Sequence, residues 1–189
     1  KILDLVASTE ALVIIDEANI EFAGDSLIRN VKEFDNLIVI RTFSKAYGLA
    51  GMRIGYCVAQ ADLVYYLWRL HPPFVNTYLA QKAAVEALKD QPHVRRTREY
   101  VARERTFLMR ELVERGFEIV PSEANCFLMR VTPLFESSPE FCQRLQRRDC
   151  VVVDGAHFRG LGQEYVRIAP QLHVNNVAFL EIVDAVLEK

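Results

Sequence analysis

The sequence predicts an α/β protein built in two parts. Over the first ninety residues, apolar runs bounded by turn residues alternate with helical patterns, which is typical of a sheet with helices packed on it. After Gln91 and Pro92 a long charged helical pattern begins, and shorter strand and helix patterns follow it. The 189 residues, 51% of them hydrophobic, suffice for one domain or two small ones. We therefore predict one part over residues 1–90 and a smaller α/β part over residues 91–189.

Three strands and three helices are expected in the first part. The strands are short runs of Val, Ile and Leu, a composition typical of strands buried on both faces. The last helix is rich in alanine, and its apolar residues recur at helical spacing. The predicted strands are Leu12–Ile15, Leu37–Ile40 and Ile54–Ala59, and the predicted helices are Leu3–Ser8, Asp62–Leu70 and Thr77–Leu88.

The second part opens with a helix from about His93 to Arg115. Gly116 follows it in the position where glycine commonly ends a helix. Runs of apolar and β-branched residues then predict strands, and two segments of helical period separate or follow them. The predicted strands are Asn125–Val131, Val151–Val153 and Tyr165–Ala169, and the predicted helices are Pro139–Arg148 and Val174–Leu187.

Composition argues against nucleic acid and membranes as partners. The chain has 23 Lys and Arg against 25 Asp and Glu, so its net charge of -2 creates no field for gripping either surface. Arginines in the long helix are interleaved with glutamates at helical spacing, which indicates a solvated, salt-bridged face. No apolar run approaches the roughly 20 residues that span a bilayer, and Asp4 interrupts any secretory signal. We therefore expect a cytoplasmic protein. The arginines of the long helix that are interleaved with glutamates are Arg95, Arg96, Arg98, Arg103 and Arg105.

Cysteine and histidine spacing predicts no metal site. The four cysteines lack CxxC spacing and lie beside apolar residues, so we expect buried, reduced thiols. The four histidines form neither an HxxxH nor an HExxH pattern. The cysteines are Cys57, Cys126, Cys142 and Cys150.

The residues that could carry chemistry follow two of the predicted strands. Asp16 and Lys45 both come at the ends of apolar runs, and ligands of open α/β sheets bind outside the carboxyl ends of the strands. The two side chains could therefore face one pocket. A lysine desolvated there would have a lowered pKa and could attack a carbonyl group. Taken alone, however, such an Asp is often a turn or cap residue, and such a Lys is usually on the surface.

A phosphate cradle is predicted around that lysine. Thr42 and Ser44 offer hydroxyl donors, and Arg53 offers a guanidinium fork. Gly48, Gly51 and Gly55 would let the chain turn back and bring Arg53 near Ser44. Their spacing matches neither the Walker motif nor the dinucleotide fingerprint, so it does not indicate ATP or NAD. The ordinary interpretation of this segment is a loop. The glycines occur in the sequence at positions 48, 51 and 55.

A resemblance carries the interpretation further. Residues 16–18 (DEA) with Ser44, Lys45 and the following glycines resemble fold-type I pyridoxal-phosphate (PLP) enzymes. Residues 41–55, RTFSKAYGLAGMRIG, closely resemble histidinol-phosphate aminotransferases, and the likeness continues through residues 121–127 and 165–168. It implies the fold of fold-type I PLP-dependent transferases, with residues 1–90 as the C-terminal half of the large domain and residues 91–189 as the small C-terminal domain.

The resemblance also implies roles for matching positions. Lys45 would hold PLP as a Schiff base and shuttle the proton between the substrate and the cofactor, and Asp16 would pair with the pyridinium nitrogen. Thr42, Ser44 and Arg53 would bind the cofactor phosphate. Two residues of the second part would serve the substrate. Arg167 would bind its carboxylate, although the residue alone suggests a surface strand position, and Asn125 would either orient that clamp or form a turn.

Two departures from the family leave the reaction open. The family usually has a Tyr that hydrogen-bonds the phenolic oxygen of the cofactor where this chain has Asn19, so we expect Asn19 to contact the cofactor instead. Residues 157–161 are similar to threonine-phosphate decarboxylases of the same superfamily. Members of the family are also longer than this chain. The N-terminal half that they have is absent here, so we expect the chain to be part of a longer polypeptide.

The function implied is that of an aminotransferase. It would move an amino group between an amino-acid-like or phosphorylated amine donor, such as histidinol phosphate, and 2-oxoglutarate, and the family implies a homodimer. One alternative is a PLP-dependent decarboxylase of a phosphorylated amino acid. Another is a non-catalytic interaction module that keeps the fold. Release of carbon dioxide, formation of glutamate, or failure to bind PLP through Lys45 would distinguish the three.

Overall fold

The computed structural model describes residues 1–188, which divide into two compact units. The first unit is Lys1–Arg98 and the second begins at Glu99, so the division falls inside one long helix. Each unit contains its own β-sheet together with helices. This organisation is the α/β class that the sequence predicts.

The sheet of the first unit consists of three strands: β1 (Val13–Asp16), β2 (Leu37–Thr42) and β3 (Gly55–Val58). Their order is β1-β2-β3, with β1 parallel to β2 and β3 antiparallel to it. Asp16 pairs with Ile40, so β1 and β2 reach the same edge of the sheet at their carboxyl ends. Thr42 lies opposite Gly55, which places the start of β3 at that edge as well.

Helices of the first unit follow the predicted pattern with two additions. The helices are α1 (Ile2–Ala7), α2 (Ile20–Ala23), α3 (Ala61–Leu70) and α4 (Tyr78–Lys89), with 3-10 turns at Leu27–Lys32 and Ala50–Met52. The short helix α2 and the 3-10 turns were not predicted. Thr77 begins α4 as its cap, since its Oγ1 accepts a hydrogen bond of 3.1 Å from the Ala80 amide.

The long helix α5 (Gln91–Glu114) spans the division between the units. It ends as the sequence predicts. Gly116 adopts a left-handed φ of 90°, which glycine tolerates without steric cost, and its amide donates a 2.9 Å hydrogen bond to the Val113 carbonyl.

The second unit folds as an antiparallel sheet with helices on it. Its elements are β4 (Glu118–Ile119), β5 (Phe127–Arg130), α6 (Ser138–Gln146), β6 (Val153–Asp154), a 3-10 turn at Gly155–His157, β7 (Tyr165–Ile168) and α7 (His173–Leu187). The strand order is β4-β5-β7-β6. Alternate residues of β5 and β7 enter the core, where Phe127, Met129 and Val166 pack with Leu112 and Val183. The unit therefore buries one face of its sheet.

Two strand predictions need correction. Val151 and Val152 lie outside β6, because pairing with β7 begins only at Val153. The prediction that the strands of the first unit are buried on both faces holds for the first half of β2, where Leu37, Ile38 and Val39 are all buried. It is wrong for β1 and for the later part of β2, because Ile14 is 56% exposed and Ile40 is 40% exposed. The sheet face that carries these two isoleucines is covered at Ile38 but open on either side of it within residues 1–188.

The prediction of buried cysteines is wrong at one position. All four cysteines are free, as expected, but Cys57 is exposed, and the other three are only partly buried. Cys57 pairs with Ile40 across the sheet and so lies on the same open face. No helix in the described part of the chain has the length and hydropathy needed to cross a membrane.

Candidate active site

The carboxyl end of β1 presents the first predicted site residue. Asp16 is the last residue of the strand and is exposed. Its Oδ1 accepts a 2.9 Å hydrogen bond from the Ala18 amide, which closes an Asx turn and leaves Oδ2 free for another partner. The turn itself thus fixes the direction of the carboxylate.

The end of β2 provides the hydroxyl groups and the lysine. Thr42 Oγ1 donates to Ser44 Oγ at 2.9 Å and accepts from the Ser44 amide at 3.1 Å, so the two hydroxyls lie side by side. Lys45 follows them in a turn. Its side chain is exposed, so the expectation of a desolvated lysine is not met, because no group within residues 1–188 covers it or bonds to its Nζ.

The chain returns from this turn toward the start of β3. The Phe43 amide donates to the Ile54 carbonyl at 3.2 Å, which places Arg53 near Ser44 as the glycine spacing predicted. Arg53 adopts a left-handed φ of 50°, a conformation that is uncommon outside glycine and often found at functional sites. Its guanidinium donates to the Ala50 carbonyl at 2.8 Å and is otherwise exposed.

Gly55 is required by the close approach of β2 to β3. A Cβ atom at this position would lie 2.6 Å from the Arg41 carbonyl oxygen, a distance that real side chains do not reach. The glycine therefore permits the tight pairing that brings the Arg53 end of the loop to the end of β2.

Asn19 lies at the start of α2 but does not cap it. Its side chain makes no capping hydrogen bond, and its Oδ1 is buried without a partner in the described structure. Asn19 and Asp16 line one cavity of about 360 Å³. Buried polar atoms nearly always have a partner, so this Oδ1 oxygen is an open acceptor for a donor from outside the described residues.

The predicted substrate residues lie in the second unit. Arg167 is exposed on β7, and its guanidinium carbon lies 5.6 Å from the centre of the Phe158 ring, within the range of a cation–π contact. It lines a cavity of about 370 Å³. Asn125 lies in a bend just before β5, not in the predicted strand.

The chain matches the family model described as aminotransferase class I and II over residues 1–184. It belongs to this aminotransferase family. A histidinol-phosphate aminotransferase of Methanosphaera stadtmanae is 34% identical over 188 residues, which cover 99% of this chain and 51% of that protein. The chain therefore spans about half the length of the relatives that it matches.

Solved structures of other aminotransferase-family proteins share the fold. The histidinol-phosphate aminotransferase of Clostridium acetobutylicum matches with a TM-score of 0.90 and 27% identity, over 99% of this chain and 57% of that one. The L-threonine-O-3-phosphate decarboxylase of Porphyromonas gingivalis matches with a TM-score of 0.86 and 27% identity, over 100% of this chain and 59% of that one. These matches confirm the predicted fold of fold-type I PLP-dependent transferases.

Sequence reasoning missed an ion cluster beside the candidate site of this aminotransferase-family chain. Arg41 donates through Nε to Glu17 at 2.8 Å and through its NH1 nitrogen to Glu21 at 2.9 Å. Desolvation opposes the charge of Arg41, but Tyr56 and the two carboxylates outweigh it and raise the pKa of the guanidinium. The sequence did contain a sign of this ion pair, because Arg41 directly follows the apolar residues of β2 and Glu17 directly follows β1.

A second missed cluster lies on α5, which the sequence analysis treated as solvated. Glu104 is only 2% exposed, and its Oε2 accepts from His173 Nδ1 at 2.9 Å and Asn176 Nδ2 at 3.0 Å. Desolvation raises the pKa of Glu104, but these hydrogen bonds and one from Arg103 outweigh that effect and lower it below 4.5. The expectation of a solvated face is wrong here, because this turn of α5 packs against the start of α7.

Arg105 is a further residue of α5 with a structural task. It donates to the Glu123 carbonyl at 2.6 Å and to the Ala124 carbonyl at 2.7 Å. It thus fixes the bend that carries Asn125, whereas the sequence analysis placed it among salt-bridged arginines. Among residues 1–188, no group of three or more His, Cys, Asp or Glu side chains is placed to hold a metal ion.

Proposed function

We propose that this chain is part of a PLP-dependent aminotransferase of the histidinol-phosphate aminotransferase type. One observation carries the proposal. The Asp16 carboxylate, the paired hydroxyls of Thr42 and Ser44, and the Lys45 amine all come at or just after the carboxyl ends of β1 and β2, which lie at one edge of the first sheet. Open α/β sheets bind their ligands there. Family membership and the 34% identical relative support the same activity.

The residues present fit PLP. The cofactor needs an acid for its ring nitrogen, donors for its phosphate, an amine for its aldehyde, and a polar contact for its phenolic oxygen. Asp16 has a free carboxylate oxygen for the ring nitrogen, and the Nδ2 group of Asn19, which lines the same cavity, can donate to the phenolic oxygen. The buried Oδ1 of Asn19 is an acceptor and lacks a partner in the described structure.

Each side chain at this edge has a task that follows from its chemistry. When bound, PLP supplies an electrophilic carbon and an electron-withdrawing ring. The Lys45 amine would hold the cofactor covalently at its aldehyde carbon, with loss of the aldehyde oxygen as water. Once released, the amine would move the proton between the α carbon of the substrate and carbon C4' of the cofactor. The carboxylate of Asp16 keeps the ring nitrogen protonated, because an opposite charge close by favours the protonated form.

The phosphate contacts come from the turn after β2 and its return. The Thr42 hydroxyl donates to Ser44 Oγ at 2.9 Å in the described structure, and it would turn to the phosphate beside the Ser44 hydroxyl. Arg53 offers a charged fork from the left-handed residue that precedes β3. Hydrogen bonds in which one partner is charged are roughly twice as strong as neutral ones. We assign the phosphate to these three residues.

Substrate recognition is assigned to the second unit. Arg167 suits a carboxylate because its planar fork can donate two parallel hydrogen bonds, and Asn125 stands in a bend fixed by Arg105. The amino donor is an amino-acid-like or phosphorylated amine such as histidinol phosphate, and the acceptor is 2-oxoglutarate.

The remaining assignments concern the whole protein. Residues 1–90 would form the C-terminal half of the PLP-binding large domain, and residues 91–189 the small domain. We assign a homodimer in the cytoplasm, with no nucleic-acid or membrane partner. Several large side chains on and after α3 support an interface, since Trp68 is 70% exposed and Phe74 is fully exposed.

A decarboxylase is the second candidate. The structural match to the L-threonine-O-3-phosphate decarboxylase of Porphyromonas gingivalis favours it, because its identity of 27% equals that of the aminotransferase from Clostridium acetobutylicum. Both reactions need the same lysine, acid and phosphate contacts. They differ in which bond of the α carbon breaks.

Trapping of the cofactor tests the proposal. The longest natural form of the polypeptide is incubated with PLP, reduced with borohydride and mapped by peptide mass. We expect a pyridoxyl adduct on Lys45, its loss in Lys45→Ala, and its retention in Lys82→Ala, a matched exposed lysine on α4. The absence of an adduct on the folded protein would overturn the proposal.

Product analysis then separates the two candidates. Incubation with histidinol phosphate and 2-oxoglutarate should form glutamate without release of carbon dioxide. Release of carbon dioxide from phosphothreonine, with no glutamate formed from any phosphorylated amine, would favour the decarboxylase.

A further inference from the structure

Glu17 and Arg41 of the ion cluster alternate in sequence with Asp16 and Ile40 at the ends of β1 and β2, and Glu17 also lines the cavity that Asp16 and Asn19 line. Successive side chains of a strand point to opposite faces. Asp16 and Ile40 pair with each other and are exposed, whereas of the next residues Glu17 is buried, Arg41 is partly buried, and the two are bonded together. The cluster therefore joins the ends of β1 and β2.

Two acids of the cluster also flank the turn after Asp16 in the sequence. Glu17 precedes this turn and Glu21 follows it on α2, with Asn19 between them, and both carboxylates bind the same guanidinium. Asn19 has no capping hydrogen bond of its own. The position of its side chain thus depends on how Arg41 holds the two flanking acids.

Every acceptor oxygen of Glu17 is used. Oε1 accepts from the Leu27 amide at 2.6 Å, and Oε2 accepts from Ser26 Oγ at 2.7 Å and from Arg41 Nε at 2.8 Å. One carboxylate thus ties the end of β1 to the end of β2 and to the start of the 3-10 turn. A neutral amide of the same size has only one acceptor oxygen and cannot serve all three donors.

Stability alone is a poor reason for such a cluster. The side chains of Glu17, Glu21 and Arg41 are only 3%, 6% and 13% exposed, and two negative charges share one positive charge. Desolvation of buried ions largely offsets their attraction, so apolar side chains often stabilise a fold as well. What an ion cluster adds is a single fixed geometry, because each bond has a defined length and direction.

We propose that Arg41, Glu17 and Glu21 are positioning residues, which hold the Asp16–Asn19 turn in register with the Ser44–Lys45 turn. This inference rests on the proposed function, because register matters only if one ligand contacts both turns. A displacement of about 1 Å at a catalytic site can cost about 100-fold in rate.

The test compares Glu17→Gln and Arg41→Met with Arg115→Met in the longest natural form of the polypeptide. Arg115 is a matched control, since it binds Asp184 through two bonds of 2.6 and 2.8 Å in the other unit. The measurements are the melting temperature, the PLP dissociation constant, the absorbance spectrum of bound PLP against pH, and kcat and KM.

We expect all three variants to melt at lower temperature. Only Glu17→Gln and Arg41→Met should raise the PLP dissociation constant, shift the pH midpoint of the PLP spectrum, and lower kcat by about 100-fold, with a smaller change in KM. If Arg41→Met does not fold, Glu21→Gln serves instead, because it removes only the charge of the carboxylate that binds the NH1 nitrogen of Arg41. It should change the PLP dissociation constant, the pH midpoint of the PLP spectrum and kcat in the same direction but to a smaller degree.

The outcomes separate this inference from the proposed function. If the unmodified protein binds PLP through Lys45 and the cluster variants keep its affinity, spectrum and kcat, then the positioning role is overturned and the proposed function stands. If the unmodified protein binds no PLP, both are overturned.

Discussion

Replacement of Glu104 by Gln should destabilise the protein and change how its stability depends on pH. The carboxylate is buried on α5 and accepts hydrogen bonds at 2.9 Å from His173 and 3.0 Å from Asn176, both through Oε2. The third donor, Arg103, is 67% exposed at its side chain, so we assign it no stabilisation.

The magnitude follows from counting buried donors. Both donors bind the same oxygen, so the single carbonyl oxygen of glutamine can still accept from both, but the two bonds lose the negative charge of their acceptor. A neutral hydrogen bond is worth about 1 kcal/mol less than one to a charged group. A buried hydrogen bond to a charged group contributes about 1.5–3 kcal/mol. We therefore expect Glu104→Gln to lower the free energy of unfolding at pH 7 by about 2 kcal/mol.

The pH dependence has a definite sign. The pKa of Glu104 is lower in the folded protein than its ordinary value of 4.5, so the carboxylate stabilises the fold above pH 4.5. This contribution is lost as the pH falls below 4.5 through the folded-state pKa. The unmodified protein should lose stability in that range more steeply than Glu104→Gln, which has no proton to bind there.

Urea unfolding at several pH values measures both effects in the longest natural form of the polypeptide. Glu114→Gln on the same helix is the control, because Glu114 is exposed and its contact with Arg110 is 3.9 Å long. We expect its effect to stay within about 0.5 kcal/mol. Equal effects of the two substitutions, or parallel pH profiles of Glu104→Gln and the unmodified protein, would refute the reasoning.

Three further predictions concern the site. Gly55→Ala should destabilise by about 1–3 kcal/mol, measured by urea unfolding, because its Cβ would lie 2.6 Å from a backbone oxygen; an unchanged midpoint contradicts this. Arg53→Ala should weaken PLP binding about 10- to 100-fold in equilibrium dialysis, through loss of a charged hydrogen bond, and unchanged affinity removes Arg53 from the phosphate site. Arg167→Ala should raise the KM for the acceptor while PLP affinity stays the same; the reverse pattern would place Arg167 at the cofactor.

The sequence predicts the elements of the chain well where the pattern is local. Leu37–Ile40 and Tyr165–Ala169 coincide closely with β2 and β7, and Gly116 ends α5 as expected. Short elements escape such analysis, since α2 has four residues and β4 has two, too few to show a period. The exposed Ile14 escapes it for another reason. Burial on a second face depends on which chain segments cover it, and residue composition does not record that.

The placement of the proposed site residues also depends partly on local pattern. The positions of Asp16 at the end of β1 and of Lys45 after β2 could be predicted from the apolar runs, and the return of Arg53 toward Ser44 followed from the glycines. Their roles remain predictions. The buried ion cluster could not be predicted, because its partners are joined by pairing of strands that are distant in sequence. Glu104 shows the limit most clearly. The preceding residue, Arg103, is exposed, and the contacts with His173 and Asn176 on α7 make Glu104 a buried group.

The Arg105 contact bears on how the protein can vary in evolution. Arg105 binds the carbonyl oxygens of Glu123 and Ala124, and every residue type has a carbonyl oxygen. This contact therefore places no demand on the side chains at positions 123 and 124. The shape of the bend depends instead on Arg105, which is distant from it in sequence. A substitution of Arg105 would therefore disturb the bend although it lies in a helix, whereas a substitution at position 123 or 124 would leave this contact in place.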